Sequence, residues 1–312
     1  MNIVLLFPGQ GSQKAGMGKE LAEAFPSAKA IFEQADATLG FPLSRLCFDG
    51  PDEELMATRN AQPALLTHGA AVWGTVADRL RPHVRAAAGH SLGEFTAYHA
   101  AGAFAFSDAL RLVRRRGELM FESGTKRPGA MAAILGLSEA NVEAACTRAL
   151  ELGDVVPANY NTPEQLVISG EVGAVERAMA IAKELGAKRA IRLNVSGAFH
   201  SPLMEDAAAG LEMALSAAPI ASTDFPIYSN VSAYPSAGPE DAKELLLRQL
   251  TSPVRWTELV RHMAEDVPDA LYVEMGPGAV LSTLVKRIIP GARTMTCGTA
   301  AEVDQLIGVL PA

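Results

Sequence analysis

Cysteine is scarce in this chain: Cys47, Cys146 and Cys297 are the only three in 312 residues, and they stand far apart. That spacing excludes a CxxC motif and a cysteine-built metal site, and it fits a reducing compartment, so a cytoplasmic protein without a metal is expected. Positive charge is in short supply too. Lys and Arg number 27 against 35 Asp and Glu, a formal net charge of −8. Phosphate backbones demand clustered positive charge, so no nucleic-acid partner is expected. No run of about 18 apolar residues occurs, which removes a transmembrane helix and with it a membrane partner. The opening MNIVLLFPGQG has only a short apolar run and no basic region before it, and is expected to form a first strand rather than a signal peptide. Strong repeats and low-complexity tracts are missing as well. What is present is a 49% hydrophobic chain, long enough for one large domain or two modest ones.

The most informative stretch is Gly89-His90-Ser91-Leu92-Gly93. It has the form G-x-S-x-G, a nucleophile elbow that holds a serine on a sharp turn between a strand and a helix. Its glycines fit a turn where a Cβ would clash with neighbouring backbone. The flanks agree: Val84 to Ala88 is a small-residue strand candidate and Leu92 to Ala101 reads as a helix. A chance match is the bland alternative, and the strand–turn–helix context weighs against it.

Asn2 to Phe7 reads as a buried strand running into the loop Pro8-Gly9-Gln10-Gly11-Ser12-Gln13. This is no phosphate loop, because GK[ST] is absent and Lys14 stands where a dinucleotide fingerprint needs its third glycine. Helical patterns cover Lys19 to Leu39 and Pro63 to Leu80, the latter with a first-turn proline. Ser107-Asp108 resembles an N-cap for a helix from Ala109 to Phe121. Beyond Lys126-Arg127-Pro128-Gly129 the rhythm changes. Strands are expected at Ala130 to Leu135, Val155 to Tyr160, Gln165 to Ser169 and Lys188 to Val195. Helices are expected from Ser138 to Leu150 and from Val172 to Leu185, with a turn at Asn161 to Glu164. The order βαββαβ is the ferredoxin-like pattern. The fold expected is therefore α/β: a hydrolase-like core with a parallel sheet, formed by 1–127 and 196–312, and an inserted ferredoxin-like small subdomain at 128–195. In the second part of the core, Ser201 caps a helix begun by Pro202. Strands follow at Pro226 to Val231 and Ala270 to Met275, and helices at Ala242 to Leu250, Trp256 to Ala264 and Val280 to Ile288.

On the helix after the elbow helix, Val113, Met120, Ala109 and Leu110 share an apolar stripe, and Arg116 falls about 60° from Val113, inside it. A core-facing guanidinium is costly without an anion. Either a structural carboxylate pairs with it or it snorkels, or it clamps a substrate carboxylate. For a base beside Ser91, His200 is ranked first of six histidines, because it lies on a glycine-bearing loop between a strand end and a helix start. His90 is adjacent to Ser91 in sequence and is expected to diverge from it. No aspartate stands out as the third member of a triad. Oxyanion donors are expected from the Leu92 N–H and from the Gly9-Gln10-Gly11 loop.

Several stretches together resemble the malonyl-CoA:acyl carrier protein transacylases: Phe7 to Gln13, Gly89 to Glu94, Arg116-Gly117, Gly197-Ala198-Phe199-His200-Ser201, and Gln249 before Ser252-Pro253-Val254. Asn159-Tyr160-Asn161, Val167 to Gly170 and Glu274 to Gly278 extend the match in family order. The resemblance implies malonyl transfer from malonyl-CoA to the phosphopantetheine thiol of acyl carrier protein, in fatty-acid biosynthesis, through a malonyl-serine and ping-pong kinetics. It implies Ser91 as nucleophile, His200 as base and then acid, and the Gln10 and Leu92 N–H groups as oxyanion hole. Arg116, with Phe199 and Met120, would bind the malonyl group. Gln249 would lie beside the histidine, where a backbone carbonyl rather than an aspartate orients the ring. Phe199 matches the malonyl-selective form of the motif. No tightly bound cofactor is implied, and a monomer is expected. Carrier proteins are acidic, so docking on this acidic chain needs a local basic patch, with Lys188, Arg189, Arg192, Lys286 and Arg287 as candidates. A polyketide-pathway transferase and a malonyl-thioester hydrolase are the competing readings.

Overall fold

The computed structural model describes residues 1–195 and 197–311. Ser196, where the second part of the core was expected to begin, and Ala312, its expected end, lie outside the described residues. Among those described run nine strands: β1 (Ile3–Phe7), β2 (Val84–Gly89), β3 (Gly129–Leu135), β4 (Val155–Thr162), β5 (Gln165–Glu171), β6 (Arg189–Arg192), β7 (Ile227–Tyr228), β8 (Leu271–Glu274) and β9 (Arg293–Thr296).

β1 organises the larger layer. Its five apolar residues are all fully buried, as expected of a central strand covered on both faces. It pairs in parallel with β2 on one side and β8 on the other, and β7 and β9 extend the sheet to the order β7-β2-β1-β8-β9. Side chains alternate across the sheet. Ile3, Leu5 and Phe7 join a core with Leu66 and Val72 of helix Thr58–Leu80, Phe95 of helix Leu92–Ala100 and Val113 of helix Phe106–Lys126. Val4 and Leu6 face the other way, onto Trp256 and Val260 of helix Trp256–Asp266 and Val285 of helix Val280–Ile288. One strand thus anchors two cores, and truncating Leu5 to alanine costs about 2–5 kcal/mol.

The smaller sheet is antiparallel, with the order β4-β5-β3-β6. Helices Glu139–Ala149 and Val172–Glu184 cover one face, where Ile134 and Ile168 pack against Val142, Val175 and Ile181. The other face turns Met131, Ala158 and Val167 into the large core. A sheet clad on both faces in this way becomes one wall of the cleft between the two layers.

Several local expectations are corrected. The expected helix Lys19–Leu39 is two helices, Lys19–Ala24 and Pro26–Leu39, because Pro26 takes a first-turn position and holds Phe25 in extended backbone. Pro63 is not in a first turn: the helix starts at Thr58. Proline cannot donate to the carbonyl four residues back, and that carbonyl, Arg59 O, accepts from Arg114 Nη1 at 3.0 Å instead. Ser107 and Asp108 do not cap their helix, which begins at Phe106 behind Ala105. Asp108 accepts from Arg111 within the helix at 3.1 Å. The hairpin turn shortens to Pro163-Glu164, β6 ends at Arg192 rather than Val195, and β7 keeps only two of six expected residues. Helices Leu43–Asp49, Asp52–Met56 and Ala300–Val309, and strand β9, had no counterpart in the sequence reading. Among the described residues no helix is long and apolar enough to cross a membrane.

Candidate active site

The site lies at the carboxyl ends of β1 and β2, the edge at which open α/β sheets bind ligands. β2 ends at Gly89, and helix Leu92–Ala100 starts after only two intervening residues, His90 and Ser91. The turn between them is as tight as the sequence demanded. A Cβ on Gly89 would lie 1.8 Å from the Gly93 carbonyl carbon, and one on Gly93 would lie 2.0 Å from the Phe7 carbonyl oxygen. Ser91 sits at φ 51°, ψ −110°, a conformation rare for an L-residue with a side chain. Asn230, just past β7, braces it: Oδ1 accepts from the Ser91 N–H at 2.7 Å, and Nδ2 donates to the Gly89 carbonyl at 2.7 Å.

His200 comes from the opposite side of the cleft, on the loop capped by Ser201, whose Oγ accepts from the Leu203 N–H at 3.3 Å. Its Nε2 lies 2.7 Å from Ser91 Oγ. Two carbonyls, Gln249 O at 2.8 Å and Ser252 O at 3.2 Å, lie beside Nδ1. Carbonyls only accept, so the proton belongs on Nδ1, and Nε2 is left as acceptor for the serine hydroxyl. Burial, and then the charge of Arg116, lower the His200 pKa to about 3, so the ring is neutral at pH 7.

Arg116 is buried, 1% exposed. Nη1 donates to Gln62 Oε1 at 2.8 Å, and Nη2 donates to Gln249 Oε1 at 2.8 Å and to Ser91 Oγ at 3.1 Å. All three partners are neutral, and Nε has none among the described residues. Neither bland reading of Arg116 holds, since it neither snorkels nor touches a carboxylate. Burial lowers its pKa to about 10 against the opposing effect of Glu94, so it is charged at pH 7.

A cavity of about 110 Å³ opens over these groups, lined among others by Gln10, Leu92, Met120, Phe199 and Asn159. All eight residues singled out in the sequence therefore converge here: seven line or face this cavity, and Gln249 stands behind it on Arg116 and His200. Neither the Gln10 nor the Leu92 N–H donates to a protein acceptor among the described residues. His90 does diverge from Ser91, and its Nε2 lies 2.8 Å from Asn161 Oδ1 on β4. His99 and His262 place Nδ1 beside backbone carbonyls away from the cavity, those of Phe104 and Ala233. Of the candidate docking residues, Lys188 and Arg192 form surface ion pairs with Glu164 and Glu176. Lys188 and Arg287 also share a separate groove with Gln165.

Sequence reasoning missed Gln62 and Asn230, and it met Asn161 only inside the stretch Asn159-Tyr160-Asn161, with no role given. Gln62 and Asn230 are isolated amides carrying no local pattern, and the meaning of each exists only through a partner at least 54 residues away. Glu94 was legible only as part of the motif around Ser91.

Fold and site together define an α/β protein that carries a serine–histidine pair on a nucleophile elbow and an inserted antiparallel subdomain, an architecture open to acyl transfer chemistry. Comparison with known proteins agrees with this. A model of the acyl transferase domain family matches residues 4–304. A malonyl CoA-acyl carrier protein transacylase of Bacillus subtilis is 47% identical over 99% of this chain and 97% of its own. The crystal structure of an acyl-carrier-protein S-malonyltransferase from Bartonella henselae superposes with a TM-score of 0.95 at 41% identity, covering 99% of each chain. A malonyl-transacylase solved in complex with a type II PKS acyl-carrier protein does so at 0.94 and 39%, again covering 99% of each. The chain belongs to the malonyl CoA-acyl carrier protein transacylase family.

Proposed function

We propose that this chain moves a malonyl group from malonyl-CoA to the phosphopantetheine thiol of an acyl carrier protein, through a malonyl-Ser91 intermediate, in fatty-acid biosynthesis. The observation that carries this reading is Arg116: a buried cation with only neutral partners, one of its nitrogens within 3.1 Å of the serine oxygen. A desolvated guanidinium favours an acyl group that brings its own carboxylate.

The chemistry follows from the geometry. Ser91 Oγ attacks the thioester carbonyl carbon while His200 Nε2 takes its proton. The resulting oxyanion is received by the Gln10 and Leu92 N–H groups, and Arg116, beside Oγ, favours negative charge there as it develops. The tetrahedral intermediate collapses, the C–S bond breaks, and the CoA sulfur leaves with the proton held on His200. In the second half-reaction the carrier's thiol gives its proton to His200 and attacks malonyl-Ser91. The C–O bond then breaks, Oγ recovers the proton, and the malonyl thioester departs on the carrier. Two carbonyls, rather than a carboxylate, keep the imidazole oriented throughout.

Intact-mass measurement after mixing with malonyl-CoA tests the reading. One malonyl adduct is expected, absent in Ser91→Ala and discharged by holo acyl carrier protein from fatty-acid synthesis. Rapid loss of the adduct to water without carrier points instead to a hydrolase, and discharge only by a polyketide carrier points to that pathway.

A further inference from the structure

Behind Arg116 lies a buried carboxyl group that the mechanism above does not use. Glu94 is on the first turn of the elbow helix and is fully buried. Its Oε2 accepts from Gln249 Nε2 at 2.6 Å and from the Asn230 N–H at 3.2 Å. Gln249 Nε2 has a second acceptor, the Ser91 carbonyl at 2.9 Å.

An amide side chain has two faces, and swapping them exchanges a donor for an acceptor. At Gln249 the swap decides what Arg116 meets. With Nε2 on Glu94 and Ser91 O, the amide presents Oε1 to Arg116 Nη2 at 2.8 Å. Flipped, it would present an NH2 group to a guanidinium, and neither has an acceptor for the other. Burial raises the Glu94 pKa to about 7, so both protonation states occur near neutrality. Both bonds fall on Oε2, so with any proton carried on Oε1 that oxygen is an acceptor in either state. The arrangement therefore does not depend on the charge of Glu94.

We infer that Glu94 is a positioning residue for acyl selectivity: as a hydrogen-bond acceptor it locks the Gln249 amide in the orientation that aims Arg116 at the carboxylate of the incoming acyl group. This rests on the malonyl-transfer reading. Glu94 acts at one remove, through Gln249, and does not touch the substrate. The same carboxyl oxygen holds the Asn230 main chain, so the bracing of the elbow and the aiming of the arginine share one anchor.

The test compares acylation of Ser91 by malonyl-CoA and acetyl-CoA, taking the ratio of the two kcat/KM values. Glu94→Leu, which removes the acceptor, is expected to lower the malonyl-to-acetyl ratio roughly tenfold or more, the scale of one hydrogen bond to a charged group. Glu94→Gln, whose amide oxygen can take the place of Oε2, is expected to keep most of the ratio. In an Arg116→Ala background, Glu94→Leu is expected to change the ratio no further. Gln249→Met removes the relay but keeps the main-chain carbonyl that holds His200, and is expected to lower the malonyl-to-acetyl ratio as Glu94→Leu does. A folded Glu94→Leu enzyme with the wild-type ratio overturns the inference. So does an equal loss in Glu94→Leu and Glu94→Gln, which would assign the effect to charge. If Glu94→Leu does not fold, an unchanged ratio in Gln249→Met overturns it alone. Wild-type enzyme that takes up no malonyl group defeats the functional reading instead, so the two failures are distinguishable.

Discussion

A guanidinium withdrawn from water and given only neutral partners still attracts an anion, and Arg116 stands in that condition beside Ser91. Its removal should leave the serine and histidine in place and erase the preference for a charged acyl group. Arg116→Ala is expected to lose malonyl over acetyl selectivity by on the order of 100-fold and to gain acetyl transfer. Acylation rates with both CoA esters measure this, and unchanged selectivity sinks the assignment. His200 supports a second expectation. Its pKa is lowered from 6.5 to about 3, by burial first and by Arg116 second. The base form is the neutral one, so its population falls only as pH drops through the lowered value. Single-turnover acylation should therefore stay flat from pH 8 down to about 5.5. An inflection near 6.5 that persists in Glu94→Gln would mean that the ring titrates as if in water.

At the scale of elements, neighbouring residues on one helix have separate duties. Arg116 faces the cleft. Arg114, two residues earlier, points away and repairs a defect elsewhere, donating to the Arg59 carbonyl that Pro63 leaves without its helical partner. Its guanidinium also lies 5.1 Å from the Phe41 ring centroid. Arg114→Met keeps the stem and removes the donor. It is expected to cost about 1 kcal/mol of stability and to leave malonyl selectivity unchanged. Urea unfolding and the two-ester assay check the two halves of this expectation, and a selectivity change would show that the two arginines are coupled. The helix boundaries divide by their cause. Val280–Ile288 matched its apolar period. Phe106–Lys126 began three residues before the expected start at Ala109, and Asp108 accepts from Arg111 within the helix instead of capping it. Helix Ala300–Val309 had a readable signature in Thr299-x-x-Glu302, which the structure builds as a capping box.

For the whole molecule, the constraint is charge. A chain of net charge −8 meets an acidic carrier protein favourably only through a local basic face. Lys188 and Arg287 line one groove, with Arg287 Nη1 donating to Gln165 Oε1 at 3.1 Å. Arg287→Glu is expected to raise the KM for carrier protein several-fold, less so at high salt, and to leave the KM for malonyl-CoA unchanged. A carrier KM that does not move would remove this face from the docking surface.

The sequence by itself determined what depends on near neighbours. A five-residue apolar run makes β1, glycines flanking a serine make an elbow, and the βαββαβ order makes the smaller sheet. Its order also carried Ser91, His200, Arg116 and Gln10 into the reading, since each stands in a short stretch with its own signature. Tertiary structure alone decided what depends on pairing across the chain. Which carbonyls hold His200, which amides flank Arg116, and that Asn230 braces the elbow while Glu94 orients Gln249 are all set by groups meeting from segments far apart in the sequence. A lone glutamine or asparagine carries no periodicity and no spacing. Its orientation is fixed only when folding removes water and makes every buried donor find an acceptor.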